Sequence, residues 1–331
     1  MSSKKILFTS IVSLVIILFA GIGSVGYVND QIENDHLVIQ NANAEESLER
    51  DITLLFVGDI QLSRAVGKKM LAKNDFVWPF QQIGEYTSSF DLTFGNLESP
   101  ISSEGKEVGN LYSFRSDPRA TEGLVFAGFD LVSLANNHVG DWGRGAMSDS
   151  LTVLGNEGIE YVGAGHSLSE ARAPRVKEIH GVTFCFLGYS LIGSENVFAT
   201  DELPGITGRV YDNMIEDVQI AASDCEVVIT SMHFGDEYQT MPNKLQRKWA
   251  EGAVDAGATL VIGHHPHVVQ PVEKYKHGYI AYSLGNFIFD QLFSEATKTG
   301  GMLEVVFKGT TIETINLVET YTTNEYQVFV P

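Results

Sequence analysis

Thr53–Val57, Asp91–Phe94, Leu131–Leu134, Val227–Thr230 and Thr259–Ile262 are short, mostly apolar runs that each stop at a cluster of polar residues. Helical patterns separate them, near Arg64–Lys73, Asp117–Phe126, Ala146–Glu157, Asp212–Ser223 and Lys244–Ala256. A strand covered on both faces reads as a continuous apolar run, and strands that alternate with helices pair in parallel. This rhythm therefore confines the chain to an α/β fold with largely parallel strands. The ending differs, because Tyr279–Leu284, Met302–Phe307, Thr311–Val318 and Tyr326–Val330 follow one another without helices. Antiparallel strands are predicted there, and one domain is expected over residues 51–331.

Ahead of that domain, Ile6–Tyr27 is an uncharged, mostly apolar stretch preceded by Lys4 and Lys5 and followed by Asp30, Glu33 and Asp35. As a helix it would reach roughly 33 Å, against a hydrocarbon core of about 30 Å. The basic pair on its leading side predicts a signal anchor over residues 1–27. The N-terminus is then cytoplasmic and the rest outside, in a single-pass protein of the cell membrane. Ala42-Asn43-Ala44 has the form of a signal-peptidase site, the competing reading, but it lies far downstream of a run longer than the usual signal core. Residues 28–50 are polar and acidic, as suits a spacer.

With 44% hydrophobic and 19% charged residues, the 331-residue chain has enough apolar material for a packed core. Its net charge of −20 argues against a nucleic-acid partner, because binding to phosphates needs a basic face. Cys185 and Cys225 are too few for a disulfide framework. In an exported domain they are expected either to pair or to stay as buried thiols.

The polar clusters lie where ligands bind in open α/β sheets, just beyond strand ends. Gly58-Asp59-Ile60-Gln61, with Arg64 behind it, reads alone as a turn and helix cap, and Gly95-Asn96-Leu97-Glu98 alone as a loop. Ala135-Asn136-Asn137-His138, followed by Asp141, places three hydrogen-bonding side chains directly after a buried run. Met232-His233-Phe234-Gly235-Asp236-Glu237 adds another strand-end histidine, and Ser283-Leu284-Gly285-Asn286 reads as a turn. Gly263-His264-His265-Pro266-His267 sets three imidazoles in four positions. If the backbone is extended there, His265 and His267 share one face and His264 the other.

Together Asp59, Glu98, Asn137, His233, His265 and His267 supply carboxylate, amide and imidazole ligands for one or two divalent ions. Mixed oxygen and nitrogen ligation suits Mn, Fe, Zn or Ni more than Mg or Ca. Such ions lower the pKa of water and clamp a developing oxyanion. His138 and Asp59 are the candidate catalytic residues, with His138 as general acid, and Arg64 or Arg144 would hold an anionic group.

Taken in order, Gly58-Asp59…Arg64, Asn96-Leu97-Glu98, Phe114-Arg115…Pro118, Ala135-Asn136-Asn137-His138, His233…Gly235…Glu237-Tyr238, Gly263-His264-His265-Pro266-His267 and Ser283-Leu284-Gly285-Asn286-Phe287 resemble the motif set of the CapA-type poly-gamma-glutamate capsule synthesis proteins. These form a branch of the calcineurin-like metallophosphoesterase superfamily. The resemblance spans about Thr53 to Asp290 and implies a four-layer α/β/β/α sandwich. It implies one metal held by Asp59, Glu98 and His267, and a second by Glu98, Asn137, His233 and His265. Arg64, Arg115, Arg144, Asn96, Asn136 and Glu237 would line the substrate site. Two positions depart from the superfamily pattern: Gln61 stands where Asp-x-His has its histidine, and Asn96 and Glu98 stand in place of a bridging Asp. The implied role is in making, exporting or anchoring poly-gamma-glutamate beside membrane synthase subunits. The protein would act as a hydrolase or transferase on the gamma-amide, as a phosphoesterase, or as a non-catalytic accessory subunit. A chain of charge −20 repels such a polyanion, so local cations must supply the attraction.

Overall fold

In the computed structural model, which describes residues 50–331, the apolar runs become the central strands of two sheets. The predicted membrane segment and residues 28–49 of the spacer lie outside the described residues. The strands, in chain order, are β1 (Ile52–Ile60), β2 (Leu92–Leu97), β3 (Phe129–Ser133), β4 (Glu160–Val162), β5 (Ala164–Gly165), β6 (Arg175–Ile179), β7 (Val182–Ser190) and β8 (Gly205–Ile206). They continue with β9 (Val227–His233), β10 (Leu260–His264), β11 (Val272–Tyr275), β12 (Gly278–Ala281), β13 (Asn286–Ile288), β14 (Thr299–Lys308), β15 (Thr311–Thr322) and β16 (Val328–Phe329). One sheet runs β16-β15-β14-β1-β2-β3-β4, with β13 also paired to β1, and the other runs β11-β12-β10-β9-β7-β6. Strands β1 to β4 are parallel to one another, as are β7, β9, β10 and β12.

Alternation along each strand explains the layers. Leu54 and Phe56 of β1 point into a core shared with Phe94, Phe186, Ile229 and Ile262, which joins the inner faces of both sheets. Leu55 and Val57 point the other way, against Val66 and Met70 of helix Arg64–Lys73 and Met147 and Leu151 of helix Gly143–Asn156. On the far side, Cys185, Val228 and Val261 pack under helices Tyr211–Asp224 and Lys244–Ala256. Helix, sheet, sheet and helix thus stack in four layers around three apolar cores, and two helices start where the sequence placed them. Helix Lys244–Ala256 opens with a capping box in which Asn243 and Gln246 satisfy each other's backbone.

Two expectations change, and one left open is resolved. The run Tyr279–Leu284 yields β12, which lies parallel to β10 inside the second sheet, and only β14, β15 and β16 form the antiparallel ending. A one-turn helix, Glu295–Lys298, interrupts that ending. Cys185 and Cys225 form a disulfide with Cα atoms 5.8 Å apart, tying the end of helix Tyr211–Asp224 to β7. Among the described residues no helix is long and apolar enough to cross a membrane.

Candidate metal centre

Strand register brings the polar clusters to one edge of the sandwich. Asp59 pairs across β1 with Asn96 on one side and Asn286 on the other, while His264 on β10 pairs with His233 on β9. The close approach of β1 to the Ser283–Asn286 turn requires glycine at 58, because a Cβ there would lie 2.0 Å from the Gly285 carbonyl oxygen. The Asp59 amide donates to that same oxygen at 2.9 Å, so the contact fixes where the Asp59 carboxylate emerges. Beyond β10 the chain is not extended: His265 and His267 have φ of 96° and 57°. The strand alternation expected for the three histidines therefore fails. The turned backbone still sends His265 and His267 into the centre, and it leaves His264 Nδ1 3.5 Å from Asp59.

Glu98 occupies the middle. Its Oε1 is buried without a hydrogen-bond partner, and the Nε2 atoms of His138, His233 and His267 each stand 3.9 Å from it. Ligand atoms of Asp59, Glu98 and His267 cluster within 4.8 Å, as do those of Glu98, His233 and His265 and of Glu237, His265 and His267. Asn137 Oδ1 accepts a hydrogen bond from His233 Nε2 at 2.7 Å. A buried carboxylate oxygen with no donor is costly, of order a few kcal/mol, unless a cation compensates it. Burial, followed by the carboxylates of Asp59, Glu237 and Asp141, pushes Glu98 well above its ordinary range. Burial also raises Asp59, but the His264 and His267 rings outweigh it and hold that carboxyl well below its usual range. Burial and then neighbouring imidazoles push His233 well down and His265 to about 3, leaving both rings neutral and able to ligate. Unpartnered oxygen, neutral imidazoles and a second carboxylate form a donor set that fits a divalent cation.

The surrounding residues orient this set. Asn96 Nδ2 donates to Asp59 at 2.8 Å, and Asn136 donates to Asn96 Oδ1 at 3.1 Å and to the Leu97 carbonyl at 2.8 Å. Both side chains are fully buried, so the substrate contacts expected of Asn96 and Asn136 are corrected to a positioning role. Arg115 is also displaced: its guanidinium stacks 3.6 Å from the Trp142 ring centroid and bonds the carbonyls of Ser103 and Glu104. Arg144 lines the cavity beside His138 but directs its donors to the carbonyls of Pro204 and Phe198. Arg64 and Glu237 reach the cavity mouth with His138.

Three partners were missed in the sequence. Asp141 bonds His138 Nδ1 at 2.7 Å and is itself held by Asn110 and the Phe114 amide. Phe114 stacks on the imidazole at 3.9 Å, so ring and carboxylate together fix which nitrogen faces Glu98. Asn286 lies 3.0 Å from His267 Nδ1. The spacing His138-x-x-Asp141 was available as a signal, whereas Asn286 required knowledge of the β1–β13 pairing.

Comparison with known proteins follows the same residues. The model of the bacterial capsule synthesis protein PGA_cap family matches residues 53–291. The chain is 33% identical over 240 residues to the PGA biosynthesis protein CapA of Bacillus subtilis (strain 168), covering 71% of this chain and 63% of that protein. It is 31% identical over 248 residues to the capsule biosynthesis protein CapA of Bacillus anthracis, covering 72% of this chain and 60% of that one. It therefore spans less than two thirds of the length of either relative. Among solved structures, a hypothetical protein from Thermus thermophilus superposes with a TM-score of 0.51 at 16% identity, over 81% of this chain and 98% of that one, a likeness of fold alone.

Proposed function

From the premise that this chain belongs to the bacterial capsule synthesis protein PGA_cap family, we propose that it is a membrane-anchored, outward-facing protein that acts on poly-gamma-glutamate during its synthesis, export or anchoring. The observation that carries the reading is the unpartnered Glu98 oxygen facing three imidazoles, of which His138 and His267 line the adjoining cavity. Asp59, Glu98, Asn137, His233, His265 and His267 would hold one or two divalent ions. When bound, such ions polarise a carbonyl or phosphoryl oxygen and make water a nucleophile near neutral pH.

This chain's own residues supply the rest for hydrolysis of a gamma-glutamyl amide. Water adds its oxygen to the carbonyl carbon and gives one proton to His138, the C–N bond breaks, and His138 passes that proton to the departing nitrogen. Asp141 and Phe114 hold that ring in place. Arg64 presents a cation to a substrate carboxylate at the cavity mouth. The Cys185–Cys225 disulfide suits an exported compartment, in agreement with the anchor read from Ile6–Tyr27.

Gln61 favours a second reading, a non-catalytic accessory subunit of a membrane synthase. It occupies the position of a metal-binding histidine, and its amide is turned to Ser63 Oγ at 2.6 Å. The deciding experiment incubates metal-loaded protein with poly-gamma-glutamate and, separately, with a phosphomonoester and a phosphodiester, using His138→Ala as control. Polymer shortening that is lost in the variant is expected. Phosphate release would replace the amide by a phosphoester, and polymer binding without cleavage would establish the accessory role.

A further inference from the structure

The cavity beside His138 has two lobes. The larger, about 480 Å³, is lined by Asn110, Leu111, Arg144, Met147, Ile192 and Val197 among others. The smaller, about 190 Å³, is lined by Arg64, Phe114, Tyr238, His267, Gln291 and Phe293 among others. Tyr112, His138 and Glu237 line both, so the proton donor stands at the waist between them. A pocket for one small metabolite encloses its ligand; here space leads away from His138 in two directions.

The walls carry a further asymmetry. Leu111, Tyr112, Tyr238 and Phe293 are large apolar or aromatic side chains left exposed around the two lobes, Leu111 at 89% and Phe293 at 66%. Only the smaller lobe offers a cation with donors to spare. Arg64 Nε lies 3.2 Å from the buried Asp290 carboxylate, and its guanidinium sits 5.6 and 5.3 Å from the Tyr112 and Phe114 ring centroids. Its terminal nitrogens make no hydrogen bond among the described residues. In the larger lobe Arg144 is committed to backbone carbonyls. A chain with methylenes in its backbone and one carboxylate per unit matches both features, covering the apolar rim while placing an anion on Arg64.

Resting on the polymer reading above, we propose that this site takes an internal stretch of a gamma-linked glutamyl chain. Units lie in both lobes, the junction between two units lies at His138, and a carboxylate is anchored by Arg64. The test measures equilibrium binding of gamma-glutamyl oligomers of defined length, from the dimer upward, to the full-length metal-loaded protein. Affinity is expected to climb with length until both lobes are filled and then to level off. Asn196→Trp, an exposed position that would fill the larger lobe, is expected to lower the affinity of long oligomers by about tenfold and to flatten the rise of affinity with length. Ser194→Trp on the same wall repeats the test if the first variant folds poorly, with circular dichroism as the check. Equal affinity for dimer and long oligomer, or length dependence untouched by a correctly folded lobe-filling variant, would overturn the two-lobe assignment and leave the polymer reading standing. Absence of binding at every length would overturn both.

Discussion

Glu98 is the residue on which the site turns. Burial and the neighbouring carboxylates push the Glu98 carboxyl upward, disfavouring its charged form, and a cation opposes that push. Replacing it with glutamine removes the ionisable oxygen but keeps the shape. Glu98→Gln is therefore expected to lower metal affinity by at least about a hundredfold, with metal-free stability unchanged or raised, as titration calorimetry and denaturant melts would register. Unchanged metal affinity would place the ion elsewhere. Gly58 acts through the backbone instead. A methyl group there meets the Gly285 carbonyl, so Gly58→Ala is expected to cost on the order of 2–4 kcal/mol and to loosen Asp59. A variant as stable as the parent would mean that the turn yields freely. At this scale the sequence was only partly legible. Residue type identified Asp59, Glu98, His233, His265 and His267 as ligands to consider, and the structure gathers them. It did not reveal that Asn96, Asn136 and Arg115 turn to protein partners, because that depends on which way each side chain leaves its backbone.

At the scale of elements, the apolar runs and helical patterns were legible because burial on both faces leaves a continuous signal. Helices Arg64–Lys73 and Lys244–Ala256 have the bounds read from their pattern. The parallel placement of β12 and the left-handed backbone at His265 and His267 were not legible, since both arise from contacts between distant segments. The disulfide belongs here too. It closes a separation of 40 residues, linking helix Tyr211–Asp224 to strand β7. In the chain-entropy model a loop of that length is worth about 4 kcal/mol. Reduction, or the pair Cys185→Ser and Cys225→Ser, is expected to lower the melting temperature by several degrees. An identical melt with and without reductant would mean that the bridge adds nothing to stability.

Across the whole molecule, two sheets deliver their parallel strand ends to a single edge, so the six proposed ligands are divided between them. Asp59, Glu98 and Asn137 come from the first sheet, and His233, His265 and His267 from the second. Metal is thus expected to bridge the sheets and to raise the unfolding midpoint progressively as its free concentration increases. The proposed topology makes its own prediction: externally added protease should digest the domain in intact cells, and full protection would contradict an outward orientation. The central claim is the metal centre itself. Its most direct test is elemental analysis of the purified protein beside the doubly substituted His265→Ala, His267→Ala variant, with circular dichroism confirming that both are folded. One or two divalent ions per chain are expected in the parent and none in the variant. A folded parent without metal, or a variant that keeps it, would contradict the proposed centre.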